Sequence, residues 1–384
     1  MMNNRSRYAL PSKHSPSFYT HLIILGFFAG IAILEILPAL AEPAGLSGAV
    51  VSALWAVIPV VFTLVLVWII DYWEPETISL YIFAFLWGGG VSILLGGSIN
   101  DFASTRLLPQ LISEDDLVYN ISRYTASWVA PISEEIVKGM GIIMIFVLFR
   151  RYFNGPIDGI VYGALIGAGF GFTENILYFV RDYEFLSEVF TVRFLDGPLS
   201  HDTYSALFGF FIGFAEYSRR KLAVVWWMIP ALLTSALFHF INNDAVYWEG
   251  MTYTKYKILV NVPLTIVALC CVIFARIYEK RIVVSGLEGY VRAGLVARHE
   301  VVMIERVKNR RQALVWAEYQ SRKLGASPGI GTEAMRRFQE ILINLGHETT
   351  GITRRRQWRD ADEQEYIKSL LGEIERLRKI FTSR

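Results

Sequence analysis

Only two of the 384 residues are cysteine, and they stand side by side at Cys270 and Cys271 inside an apolar run. Neighbours on a helix point in different directions, so a mutual disulfide is not expected, and no cysteine-based zinc motif exists. The HExxH pattern, which sets two histidines and a glutamate on one helical face, does not occur. There is no low-complexity segment and no repeat of solenoid or propeller period. Charge is scarce in the apolar runs and concentrated in the last hundred residues, so the formal net charge of +2 says little as a total. No nucleic-acid partner is expected.

Hydrophobicity is what the chain has in excess. Hydrophobic residues make up 53% of it and the mean hydropathy is +0.38, too high for a soluble chain of this length. Apolar runs occupy 21–41, 48–70, 77–99, 128–149, 156–180, 198–217, 222–242 and 258–277. Each is near the roughly 20 residues that one crossing requires. The expected fold is all-α: a polytopic membrane helix bundle of about eight transmembrane helices with a C-terminal cytoplasmic helical domain. Residues 1–20 are expected to be a disordered cytoplasmic N-terminus, 21–281 the transmembrane domain, and 282–384 the tail. In the tail, helices are expected over 287–324, 333–345 and 360–380, with breaks at 326–331 and 346–351. Glu373 and Arg376 are expected to pair, and Arg354, Arg355 and Arg356 form a basic stretch able to touch anionic lipid. The sequence Pro38-Ala39-Leu40-Ala41-Glu42 resembles a signal-peptidase site. The length of the preceding run and its Glu35 favour a retained helix.

Basic residues set the orientation. With the N-terminus inside, Arg5, Arg7 and Lys13, then Arg150 and Arg151, then Arg219, Arg220 and Lys221, then Lys280 and Arg281 all fall on the cytoplasmic side. The remaining loops carry only scattered basic residues. The expected location is therefore an integral membrane protein of a bacterial plasma membrane, N-in and C-in.

Against this apolar background the ionisable residues stand out, because charge at bilayer depth costs several kcal/mol unless it is paired or faces a polar cavity. Glu134, Glu135 and Lys138 lie in the run 128–149, Glu174 and Asn175 late in 156–180, His201 and Asp202 early in 198–217, and His239, Asn242 and Asn243 at the end of 222–242. Alternating crossings put all four groups in the same, outer half of the bilayer. Lys138 is i+4 from Glu134 and i+3 from Glu135, so it can reach either carboxylate. Such a pair neutralises one acid and leaves the other for work. His239 and Asn243 share a helix face. Gly163, Gly167 and Gly171 make a small-residue stripe that lets another helix approach. Each group also has a plainer structural reading: an ion-pair cluster for the glutamates and lysine, an interhelical clamp for Glu174 and Asn175, an interfacial histidine at 201, and a helix terminus at 239–243.

Glu134-Glu135-x-x-Lys138 and Phe170-x-x-x-Glu174-Asn175 resemble the EExxK and FxxxEN motifs of the PrsW family of polytopic membrane proteases, and His201 and His239 fall where that family's later histidines stand. The resemblance covers roughly 128–243 and extends, more distantly, to the membrane proteases that process CAAX-tailed proteins and bacteriocins. It implies proteolysis of membrane-anchored protein substrates, notably anti-sigma factors, on the extracytoplasmic side. Under that reading Glu134 or Glu135 activates a water and Lys138 tunes the carboxylates. His201 and His239 either bind a divalent metal or act as acid and oxyanion partners, and Asn175 or Asn243 orients the oxyanion. A zinc site from His201, His239 and Glu174 and a metal-free glutamate–histidine site both fit, and spacing decides for neither. The alternatives are a proton-coupled transporter whose relay uses the same groups, and a signalling scaffold whose tail is the working part. The partner of the tail is unknown.

Overall fold

A computed structural model describes residues 44–71, 76–112, 117–197, 199–218, 222–354 and 361–382, with scattered positions between 19 and 34. Most of the apolar run 21–41, including Glu35 and Ala41, the N-terminal basic residues, the triplet at 219–221 and the side chains of the basic stretch at 354–356 lie outside them. The described residues are helical and include no strand. The main helices are α1 Gly45–Ile70, α2 Ile78–Leu86, α3 Ile93–Phe102, α4 Ala130–Leu148, α5 Pro156–Arg181, α6 Ser200–Gly213, α7 Ala223–Asp244, α8 Val262–Arg292, α9 Arg298–Ile304, α10 Val307–Lys323, α11 Ile330–Arg354 and α12 Ala361–Phe381. They divide into two compact units, and the boundary falls at residues 275 and 276 within α8.

Among the described residues, five helices are long and apolar enough to cross a membrane: Gly45–Ile70, Ile78–Gln110, Pro156–Arg181, Ala223–Tyr247 and Tyr253–Arg292. The sequence suggested eight. Of the other three runs, 21–41 is outside the description, α4 carries Glu134, Glu135 and Lys138, and α6 has only 14 residues. Of these two described helices, α4 falls short by its three charged residues and α6 by its length. The protein is nonetheless an integral membrane protein by its surface. Leu54, Val61, Phe62 and Trp68 on α1, Trp226, Ile229 and Leu233 on α7, and Ile266, Leu269 and Ile273 on α8 are all exposed. Apolar patches of that extent are rare on soluble monomers.

The membrane unit is built around α5. Pro156 stands at its start, where the missing N–H costs nothing, and Asp158 in the first turn accepts from the Asn154 N–H. Gly159, Gly163 and Gly167 form one face of α5. A Cβ at these positions would lie 2.0 Å from the Gly209 carbonyl oxygen, 2.1 Å from that of Ser205 and 2.4 Å from that of His201, all on α6. Only glycine lets the two backbones meet this closely. On another side, Gly169 approaches the Phe85 carbonyl of α2, where a Cβ would come within 2.0 Å. A π-helical turn, Trp87–Ser92, joins α2 to α3, and the Trp87 indole donates to the Val137 carbonyl of α4 at 3.0 Å. These contacts pack α6 and α2 directly against α5 and tie α4 to the α2–α3 connection.

The second unit has its own core, in which Val301, Ala317, Phe338, Ile341, Leu342, Leu370, Ile374 and Leu377 are buried. The expected helix over 287–324 is divided into the end of α8, α9 and α10, because Gly294 takes a positive φ of 72° and ends the helix. The expected break at 346–351 is absent. α11 runs through it, and Gly346 packs where a Cβ would come 2.7 Å from the Val283 carbonyl. Glu373 and Arg376 pair at 2.5 Å, as their spacing suggested.

Candidate active site

Four helices of the membrane unit bring their ionisable residues to one place. α4 supplies Glu134, Glu135 and Lys138, α5 supplies Glu174 and Asn175, α6 supplies His201, and α7 supplies His239. Lys138 and Glu135 are fully buried and His239 is 2% exposed, so the deepest part of the cluster is closed to lipid and to bulk water. Burying these charges is tolerable only because they are paired.

Two carboxylate–histidine pairs share the cluster. Glu135 Oε1 lies 2.5 Å from Lys138 Nζ and 3.0 Å from His239 Nδ1. Glu174 Oε2 lies 2.8 Å from His201 Nε2 and is also paired with Arg193. Lys138 links the two pairs, since its Nζ is 3.3 Å from His201 Nδ1 and lies 4.4 Å from the centre of the Phe170 ring. The imidazoles of His201 and His239 are 5.1 Å apart at their centroids. Tyr204 stacks on His239 at 4.9 Å and 15°. His201 thus has a partner on each ring nitrogen, and it binds an ion only by exchanging one of them.

Glu134 differs from Glu135. Its Oε1 accepts from Asn100 Nδ2 at 3.1 Å, and Ser133 donates to the other end of the same amide at 2.7 Å. Its Oε2, like that of Glu135, is buried without a hydrogen-bond partner, but Glu134 has no paired lysine or arginine among the described residues, and its Oε2 lies 3.9 Å from His239 Nε2. Buried polar atoms are normally satisfied, and an exception calls for an explanation. Ligand atoms of Glu134, His201 and His239 all lie within 4.8 Å of one another. A nitrogen–nitrogen–oxygen set is the chemistry of a catalytic zinc site with an open position. The sequence reading put Glu174 beside the histidines as the carboxylate ligand. In the structure Glu174 is occupied by Arg193 and His201, and the convergent carboxylate is Glu134.

The cluster opens into a cavity of about 920 Å³, lined by Glu134, Glu174, His201 and His239 among others. Asn175 and Asn243 also line it, each with at least one protein partner. Asn175 Oδ1 accepts from Arg193 at 2.6 Å, and Asn243 donates to the Ala126 carbonyl at 2.9 Å. Four polar residues near the site were missed from sequence. Asn100 lies just past the end of the run 77–99, and Arg193 lies in a stretch that reads as surface helix. Thr63 on α1, which pairs with Asp202, is a single hydroxyl in an apolar run. Tyr204 looks like one more core aromatic. Only Asn100 left a usable sign, as a polar residue ending a span on the side where the others gather.

Ionisable side chains buried in a membrane helix bundle, gathered on a polar cavity with two histidines and an unsatisfied carboxylate, define a membrane-embedded hydrolytic site. The model of the PrsW family intramembrane metalloprotease matches residues 76–269, half of the chain. The chain belongs to the PrsW family and is a membrane-embedded protease. Comparison with curated proteins and with solved structures gave no match.

Proposed function

We propose that this protein is a metal-dependent endopeptidase that cleaves membrane-anchored protein substrates, anti-sigma factors among them, near the extracytoplasmic face of a bacterial plasma membrane. All eight apolar runs would cross the bilayer, with both termini inside. The observation that carries the reading is the convergence of Glu134, His201 and His239, whose ligand atoms lie within 4.8 Å of one another on residues that line the cavity, with Glu134 Oε2 unpartnered 3.9 Å from His239 Nε2.

Glu134, His201 and His239 would hold the ion. A divalent ion such as zinc, when bound there, supplies an acidified water and a polarised substrate carbonyl. The other residues position these three. Glu135 accepts from His239 Nδ1–H, which leaves Nε2 with its lone pair on the side of Glu134. Lys138 balances the charge of Glu135. Glu174 holds His201 from the rim, and Asn100 fixes Glu134 through Oε1, so that Oε2 is the reactive oxygen.

The test separates the two adjacent glutamates. Glu134→Gln removes both bound metal and cleavage. Glu135→Gln removes only an orienting partner and costs about 10–100-fold in metal affinity or cleavage. Metal content of the purified variants and cleavage of a membrane-anchored reporter give both readings. Full metal content in Glu134→Gln, or wild-type cleavage after a strong chelator, would overturn the metal assignment.

A further inference from the structure

The glycine stripe of α5 changes its role at its last member. Gly159, Gly163 and Gly167 have α6 backbone where a side chain would be, as described above. Gly171 continues the same four-residue spacing, yet a Cβ there would meet only the His201 side chain at 4.0 Å, an ordinary contact. Gly97 on α3 is freer still, with nothing within 4 Å of a Cβ. Both lie inside helices, where glycine is less favourable than alanine, and packing gives no reason for either. Both line the cavity that holds Glu134, His201 and His239. Next to Gly97, Gly96 does have a packing reason, because its Cβ would come 3.2 Å from Glu134 Cγ.

The space these two glycines leave is suited to an apolar group. Each amide side chain around the cavity has at least one protein partner. Asn100 is bound to Glu134 and Ser133, Asn175 to Arg193, Asn242 to Asn243 and Tyr256, and Asn243 to Ala126. The remaining wall includes Ile93, Phe172, Val192 and Leu199. A second observation points to an occupant: Glu134, which lines the same cavity, is 7% exposed and has an unpartnered Oε2.

We infer that Gly97 and Gly171 are specificity-determining residues that make room for a large apolar side chain next to the cleaved bond of the substrate. The proposal rests on reading this cavity as the catalytic chamber. The substrate class it selects is a membrane-anchored segment with Leu or Phe, rather than Gly or Ala, beside that bond.

The experiment uses the full-length protein in lipid nanodiscs and two transmembrane peptides that differ only in Leu or Ala at that position. Binding is measured in a Glu134→Gln background, which removes cleavage, with and without Gly171→Leu. Gly97→Val, on a different helix, serves as the second variant, and the melting temperature of each reports folding. The expected result is that the Leu peptide binds better than the Ala peptide when both glycines are present. Either substitution should lower the Leu-to-Ala affinity ratio at least about tenfold, as filling a side-chain pocket does. No preference for Leu with the glycines intact, or a ratio unmoved by either substitution in folded protein, would overturn the inference. Cleavage by the parent protein judges the catalytic reading separately. If Glu135→Gln and Glu134→Gln both cleave like the parent, that reading fails while the affinity ratio still decides the role of the glycines.

Discussion

Arg193 reaches the cluster from the π-helical turn Thr191–Asp196, outside every motif that the sequence offers. Its guanidinium pairs with Glu174, its Nε donates to Asn175, and it lies 4.0 Å from the centre of the Tyr178 ring. It touches neither the histidines nor the unpartnered oxygen of Glu134, so it acts through Glu174 on His201. Arg193→Gln should therefore lower kcat about 10–100-fold, the usual cost of losing an orienting partner, with KM little changed. Arg193→Lys, which keeps the charge but not the two-pronged geometry, should recover part of the loss. In a Glu174→Gln background the Arg193 substitution should add little. Steady-state kinetics on the four proteins checks this, and fully additive losses would mean that Arg193 acts elsewhere. At this scale the sequence revealed the charged residues well, because a carboxylate or lysine in an apolar run is conspicuous. It did not reveal the partners that come from connections, or hydroxyls such as Thr63, because these residues are ordinary in their own local setting. The choice between Glu174 and Glu134 as the convergent carboxylate depends on helix rotation, and spacing within one helix does not determine rotation between helices.

Helices α10 and α11 show how a connection can be fixed by a single side chain. Glu318 accepts from the Gly329 N–H at 2.8 Å, the Thr332 N–H at 3.1 Å and the Arg322 guanidinium at 2.9 Å. Gly329 has a φ of 90°, and the Glu318 carboxylate serves the first free N–H groups of α11 in place of a local cap. The Gly329 N–H first, then Arg322, hold the Glu318 carboxyl down to about 2, from an ordinary value of 4.5. A depressed carboxyl contributes stability that is complete above the ordinary value and is lost as pH falls toward the depressed one. The melting temperature difference between the parent and Glu318→Gln should therefore be constant from neutral pH to about 5, then shrink between about 4.5 and 2. A difference that grows on acidification would contradict the assigned role. The sequence located this connection from its Ser-Pro-Gly composition but gave no sign of the glutamate, which lies eleven residues earlier than the N–H it serves. The opposite error occurred at 346–351, where two glycines read as a break. Packing of Gly346 against Val283 outweighs its low helix propensity.

For the whole molecule, the distribution of basic residues is the physical argument for which side of the membrane the cavity faces. Tight Arg-Arg and Arg-Arg-Lys clusters at 150–151 and 219–221 alternate with loops whose basic residues are sparse, and positive charge is retained on the cytoplasmic side. On the proposed orientation the cluster at Glu134, Glu174, His201 and His239 would lie toward the outer surface. The prediction is a labelling pattern. With Cys270 and Cys271 replaced by alanine, which removes the only two thiols, a cysteine at the exposed Thr105, one turn beyond Asn100, should react in intact cells with a reagent that does not cross membranes. A cysteine at the exposed Lys368 should react only after the membrane is permeabilised. Since Asn100 is hydrogen-bonded to Glu134, the first label also reports the side from which the catalytic cavity is reached. The reverse pattern would place the same site on the cytoplasmic side. It would leave the geometry of the cluster untouched but exclude extracytoplasmic segments of anchored proteins as its substrates.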